Sequence, residues 1–314
     1  MRSSGGLKPP ESKSLVAGTE PTRSAARSKR PDWTPKGLCL VATPIGNAAD
    51  ISLRALRALE AASLVACEDT RVTGKLLALH GIQASLTAYH EHNAARVRPN
   101  LIRRLKNGES VTLVSDAGTP LVSDPGYQLV RACIEEDIPV TAVPGPSAVL
   151  TALQLSGLPS DRFYFAGFLP HKSGARKKAL AEAAAVPGTL IFMESPKRLP
   201  SALADMAEVL GPREAAVTRE LTKMFEEVRR GPLDELARDF AESGPPKGEI
   251  TMVVGPATEA EAEVSDEDVA GRLRGELATG SSRRDAIDAV AAETGRPRRE
   301  VYALALGLDG EDTG

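Results

Sequence analysis

Four short segments of the 314-residue chain carry residue types suited to holding a small polar ligand. They are Thr43-Pro44-Ile45-Gly46-Asn47, Glu68-Asp69-Thr70-Arg71, Ser115-Asp116-Ala117-Gly118-Thr119-Pro120 and Pro144-Gly145-Pro146-Ser147-Ala148. Glycine and alanine let main-chain N–H and C=O groups approach a ligand directly, and proline with glycine sets tight turns. Glu68 and Asp69 are the acidic residues closest to a strand end, which makes them the candidates to accept a proton. Salt-bridging to Arg71 or helix capping competes with that role. No G-x-x-x-x-G-K-[ST] phosphate loop occurs, and no G-x-G-x-x-G follows the first strand, so the common nucleotide fingerprints are absent. His90 and His92 could present two imidazoles on one side of an extended segment. With four His in the chain and no third ligand nearby, they read as surface or substrate-loop residues rather than metal ligands.

Each of these segments follows a short apolar run. Runs at 38–42, 64–67, 111–114 and 138–143 have strand character, and helical stretches lie near 96–106 and 127–135. Asp50 is placed to cap a helix carrying Leu53, Leu56 and Leu59, and a helix beginning near Ser147 would offer unpaired N–H donors. Strands alternating with helices predict βαβ units and a largely parallel sheet, with ligands outside the carboxyl ends of the strands. A second alternating block has strands expected at 162–166, 189–193, 215–218 and 250–254, with helices at 175–185, 199–210 and 233–241. Gly157-Leu158-Pro159 is a hinge candidate between the blocks, and 256–264 reads as a linker. Helices at 285–293 and 298–306, joined by Thr294-Gly295, outline a helix-turn-helix-like end piece. The expected organisation is a basic tail at 1–36, α/β domains at 37–155 and 156–257, and a helical domain at 265–308.

Composition narrows the function classes. The formal charge is −3 and hydrophobic residues make up 42%, which excludes a wholesale basic coat for nucleic acid but leaves room for local patches. Residues 1–36 carry eight Lys and Arg against three Asp and Glu, with too little apolar surface to offset chain entropy. No apolar run approaches the ~20 residues that span a bilayer, and no signal-like apolar segment opens the chain. Cys39, Cys67 and Cys133 are odd in number without metal-type spacing, as expected of a reduced, cytoplasmic protein.

Taken in order, VATPIGNAADISLRA (41–55), CEDTR (67–71), YHEHN (89–93), SDAGTPLVSDPG (115–126) and VPGPSA (143–148) resemble one family. It is the family of small-subunit ribosomal RNA 2′-O-ribose cytidine methyltransferases, in the tetrapyrrole-methylase superfamily. The likeness continues through SGLPSDRFYFAGFLP (156–170), IFMESPKRL (191–199) and TRELTKMFEE (218–227), and covers about 37–307. It implies S-adenosylmethionine bound in a cleft between two α/β domains, a homodimer, and a cytidine of 16S rRNA at the decoding centre of the small ribosomal subunit as target. Position by position, the implied cofactor contacts are Ile45, Asp116, Ala117, Gly118, Thr119, Val122, Ser147, Ala148, Glu194 and Leu221. The loop ATPIG stands where superfamily relatives carry GAGPG, which sets this branch apart from porphyrin-methylating relatives. For RNA the candidates are Arg71, His90, His92, Lys172, Arg176, Arg198, Arg283, Arg284, Arg298 and Arg299. The alternative functions are a tetrapyrrole C-methyltransferase and a non-catalytic RNA-binding or ribosome-assembly protein.

Overall fold

The structure is a computed structural model that describes residues 35–123, 126–257, 266–294 and 296–307. Nearly all of the basic segment and most of the 256–264 linker lie outside the described residues. Strands β1 (Leu38–Val41), β2 (Leu64–Cys67), β3 (Leu86–Ala88), β4 (Val111–Val114) and β5 (Val140–Val143) form a parallel sheet in the order β3-β2-β4-β1-β5. Side chains alternate across it. Leu38, Ala66, Val111 and Leu113 meet Leu101 and Leu105 of α3 (Ala94–Lys106) and Leu129 and Cys133 of α4 (Tyr127–Glu135). Cys39, Val41, Val65 and Val114 meet Ala55, Ala58 and Leu59 of α1 (Leu53–Ala61) and Leu77 of α2 (Thr70–Leu79). Burial on both faces is why these strands read as unbroken apolar runs. β1 and β4 are neighbours, yet the chain leaves β1 toward β2 and leaves β4 toward β5. That divergence opens a crevice at their carboxyl ends.

The start of α1 differs from expectation. Ser52, not Asp50, is the cap: its hydroxyl accepts from the Ala55 N–H at 3.0 Å. Asp50 ends a short 3₁₀ turn capped by Asn47, and Leu53 faces solvent at 74% exposure. Ser52 is two residues closer to the buried Ala55-Ala58-Leu59 stripe, so it meets the N–H groups that need a partner.

The second sheet comprises β6 (Phe163–Phe168), β7 (Thr189–Glu194), β8 (Glu214–Arg219), β9 (Glu227–Pro232) and β10 (Ile250–Val254), in the order β6-β7-β10-β8-β9. Only β6 and β7 pair in parallel; the other pairings are antiparallel. β9 has no apolar alternation in sequence and was not expected. It is a charged edge strand, with Arg219 and Arg229 bracketing Glu227 at 2.9 and 2.7 Å. α6 (Ser173–Ala184), α7 (Leu199–Leu210) and α8 (Leu233–Ser243) cover one face through Leu180, Leu203 and Phe240. The other face is covered by α5 (Ala148–Ser156), whose Ala152 and Leu153 pack with Ile191 and Val253. The helix that leaves the first sheet thus seals the second.

At the C-terminal end the sequence pattern separates two helices and the structure has three: α9 (Asp266–Ala278), α10 (Arg283–Thr294) and α11 (Arg298–Gly307). Val269, Leu273, Ile287, Val290 and Val301 give them a core of their own. Among the described residues no helix is long and apolar enough to cross a membrane.

Arg176 corrects an RNA expectation. It is 3% exposed, donates from Nε to Asp205 at 2.6 Å, and reaches the carbonyls of Pro170, His171 and Ser201. It fastens α6 to α7 and has no face for a phosphate. Arg176→Ala would leave the buried Asp205 carboxylate only the Ser173 hydroxyl and the more distant Lys177, and should lower unfolding stability by about 3–5 kcal/mol. The exposed neighbour substitution Lys178→Ala should stay within about 0.5 kcal/mol. Urea titration of both variants checks the contrast; equal small effects would remove the buried pair from the framework.

Candidate functional site

The crevice at the β1–β4 divergence is spanned by two main-chain hydrogen bonds. Thr43 N donates to Gly118 O at 2.9 Å, and Gly118 N donates back to Thr43 O at 3.0 Å. The Thr43 hydroxyl donates to Ser115 O, and the Ser115 hydroxyl to the carbonyls of Ala117 and Gly118. Thr119 Oγ1 donates to Pro146 O at 3.1 Å, tying in the loop after β5. Gly118 sits at φ +79°, a left-handed conformation that side-chain-bearing residues resist. Ser147 caps α5, accepting from Leu150 N.

These loops and the ends of the second sheet enclose a cavity of about 410 Å³. Ile45, Ala117, Gly118, Thr119, Val122, Ser147, Ala148 and Glu194 from the expected cofactor set lie in its wall. Phe168, Met193, Ser195, Glu249 and Thr251 also line it and were missed. The available signal was positional: the first three sit at or just after the carboxyl ends of β6 and β7. The last two lie where the antiparallel β10 begins, at the same edge of the sheet.

The other two expected contacts stand outside the wall. Leu221 is buried behind it, packed with Ile45, Val122 and Val149. Asp116 accepts from Asp69 N at 2.9 Å and so joins the loops after β2 and β4. Thr222, next to Leu221, accepts from Asn47 N at 3.2 Å, and Lys223 lies against Gly46, where an added Cβ would meet its Cγ at 2.4 Å. The β8–β9 loop is therefore seated on the loop after β1.

Among the acids, Asp69 does not suit proton transfer. It caps α2, accepts from Arg71 N at 2.8 Å, and pairs with the Arg71 guanidinium at 2.5 Å. The Arg71 hydrogen bonds hold its carboxyl down to about 2, which makes it a feeble base. Glu68 is different. Burial first, then the Asp116 carboxylate, push its carboxyl above the ordinary range, while His90 pulls the other way. Glu194 is enclosed: Oε1 accepts from Ser195 N and Arg198 Nε, and Oε2 has no hydrogen-bond partner among the described residues.

The RNA candidates divide by surroundings. Arg198 pairs with Glu194 at 2.5 Å and donates to Leu169 O, so it holds a wall residue in place rather than forming an RNA surface. Arg71 is exposed beside Asp69, and His90 and His92 stand with ring centroids 6.1 Å apart. Lys172 is exposed at the start of α6. Arg283, Arg284, Arg298 and Arg299 are exposed on the terminal helices, with Arg298 paired to Asp288. Residues 266–307 hold seven Arg against eight Asp and Glu, so that piece is not basic as a whole.

Comparison with known proteins places this geometry among methylases. The family model for Tetrapyrrole (Corrin/Porphyrin) Methylases matches residues 37–237. The chain is 54% identical over 272 residues to the Ribosomal RNA small subunit methyltransferase I of Mesorhizobium japonicum, covering 86% of this chain and 92% of that one. It is 45% identical over 272 residues to the protein of the same name from Halalkalibacterium halodurans, covering 85% and 93%. The solved structure of the methyltransferase CobJ superposes with a TM-score of 0.54 at 16% identity, over 71% of this chain and 95% of that chain; this is a likeness of fold.

Gly118→Ala tests the left-handed turn. Its methyl group would also stand 3.3 Å from Ile45 Cγ2. The variant should be destabilised by about 1–2 kcal/mol. Gly174→Ala, at a helical site with open space, should be neutral or slightly stabilising. Denaturant midpoints that do not separate the two would contradict the strained bridge.

Proposed function

We propose a function from one premise: the chain belongs to the tetrapyrrole methylase family. It is an S-adenosylmethionine-dependent ribosomal RNA methyltransferase. The finer reading is 2′-O-methylation of a cytidine ribose in 16S rRNA, at the decoding centre of the small subunit. A homodimer acting in the cytoplasm, where the subunits are, completes it. The observation that carries the reading is the 410 Å³ cavity built from three βα loops of one sheet and the strand ends of another.

The walls fit the cofactor. Ala117, Gly118 and Ala148 leave main-chain groups accessible, and the first turn of α5 is suited to a carboxylate. Ile45, Val122 and Met193 offer apolar surface for the adenosine and the methylene groups of the methyl donor. When bound, the sulfonium supplies an electrophilic methyl group. The chain's task is then to bring the ribose hydroxyl into line, and orientation of this kind is worth up to about 7–11 kcal/mol. Glu68, with its raised carboxyl pKa, is the group proposed to take the hydroxyl proton.

Mapping of ribose methylation on 16S rRNA, from cells with and without the gene, tests the function. One 2′-O-methylcytidine should vanish with the gene. Methyl transfer to uroporphyrinogen and not to 30S particles would replace the assignment. Two substitutions probe the site. Ala148→Leu keeps a helix former in α5 but fills the cavity, and should weaken S-adenosylmethionine binding by about ten-fold or more while the protein stays folded; unchanged calorimetric affinity would move the cofactor elsewhere. Glu68→Gln should slow single-turnover methylation by about 10²–10⁴ with both substrates bound within a few-fold of normal. A near-wild-type single-turnover rate would leave catalysis to positioning alone.

A further inference from the structure

A second cavity, of about 170 Å³, lies between β6 and α6. It is floored by apolar groups such as Leu169, Val186 and Phe192, and rimmed by Tyr164, Phe168 and Glu182. Phe168, at the carboxyl end of β6, also lines the 410 Å³ cavity, so the two spaces share that residue. Tyr164 and Phe168 remain 44% and 60% exposed although each is large and apolar. β6 is an edge strand, and no further strand of the described residues covers it. Lys172 and Lys178 on or beside α6, and Lys197 after β7, are exposed cations without an acidic partner among the described residues. Their neighbours Lys177, Arg176 and Arg198 are all held in ion pairs.

We propose that the β6–α6 cavity is the nucleobase pocket of the RNA substrate, with Tyr164 and Phe168 as its stacking surfaces and Glu182 as the acceptor for an exocyclic amine. The inference rests on the rRNA reading above and adds where the base goes. The volume is well below the roughly 300–1,000 Å³ of sites for drug-sized ligands, and suits one planar ring. Single-stranded RNA is held by aromatic faces interleaved with cations, which is the set of groups found here. A base stacked at Phe168 places its own ribose beside the shared ring, at the mouth of the methyl-donor cavity. The phosphates then fall toward Lys172 and Lys197. Glu182 is the charged group of the rim, and a carboxylate set against C4 of the base accepts from the cytosine N4 amine but meets the O4 acceptor at that position of uracil. The same geometry thus assigns a preference for cytosine. Two exposed rings over a cavity this small bury far less than the roughly 800 Å² per partner of a stable protein interface, which favours a base over a second protein.

The test uses the full-length protein with unmethylated 30S subunits. Tyr164 lies outside the methyl-donor cavity, so Tyr164→Ala should weaken 30S binding by about ten-fold or more while S-adenosylmethionine affinity stays within about two-fold. Tyr164→Phe, which keeps the ring, should behave as wild type and guards against misfolding. Glu182→Gln, which can donate as well as accept, should lower the preference for subunits carrying C over U at the target by several-fold. Normal 30S binding by Tyr164→Ala, or an unchanged C-to-U ratio in Glu182→Gln, would overturn the pocket. So would loss of a dimer on sedimentation of Tyr164→Ala, which would assign the rings to contact between copies. A wild-type protein that transfers no methyl group to 30S would instead defeat the rRNA reading itself.

Discussion

Two hydrogen bonds between Thr43 and Gly118 hold together the loops that leave β1 and β4, and the cleft is arranged around them. The chain departs from these neighbouring strands in opposite directions, which opens a crevice that nothing within the sheet would close. The bridge fixes its width. Buried hydroxyls of Thr43 and Ser115 satisfy carbonyls underneath, so the floor is set before a ligand arrives. Rigid, pre-positioned main-chain groups lose little entropy on binding, the advantage a site depending on orientation needs.

The second sheet becomes a wall through α5. The first turn of this helix faces the cavity, while Ala152 and Leu153 pack on the Ile191–Val253 face of the other sheet. Mixed pairing matters as well. Because β10 runs antiparallel to β7, the end of one and the start of the other reach the same edge, and both contribute wall residues. The β8–β9 loop closes the side by seating Thr222 and Lys223 on Asn47 and Gly46.

Charge near the cleft is largely spent internally. Glu194 holds Arg198, Asp69 holds Arg71, and Lys223 bridges Glu220 and Glu249. The terminal helices carry more acids than arginines. Attraction to RNA must therefore come from a few unpaired cations and from exposed rings, not from a uniformly positive face.

The alternation of apolar runs and helices, the turn residues after each strand, and the order of the loop motifs were readable along the chain. Each depends on neighbours a few residues apart, so the parallel first sheet, its loops and the family likeness followed from sequence. Elements with weak local patterns did not: β3 has three residues, α2 follows directly on the Glu68-Asp69 loop, and β9 is a charged edge. The fate of individual charges was also hidden. Arg176 and Lys178 look alike in sequence, yet one lies against Asp205 and the other faces solvent. Likewise, Glu68 and Asp69 are adjacent acids, yet burial and then the nearby Asp116 carboxylate raise the proton affinity of one, while hydrogen bonds from Arg71 lower that of the other. Asp205 lies 29 positions from Arg176, and Asp116 lies 47 from Asp69, whose N–H donates to it. The sequence by itself determined which loops could form a site; tertiary packing decided which side chains enter it, because desolvation and pairing exist only once distant segments meet.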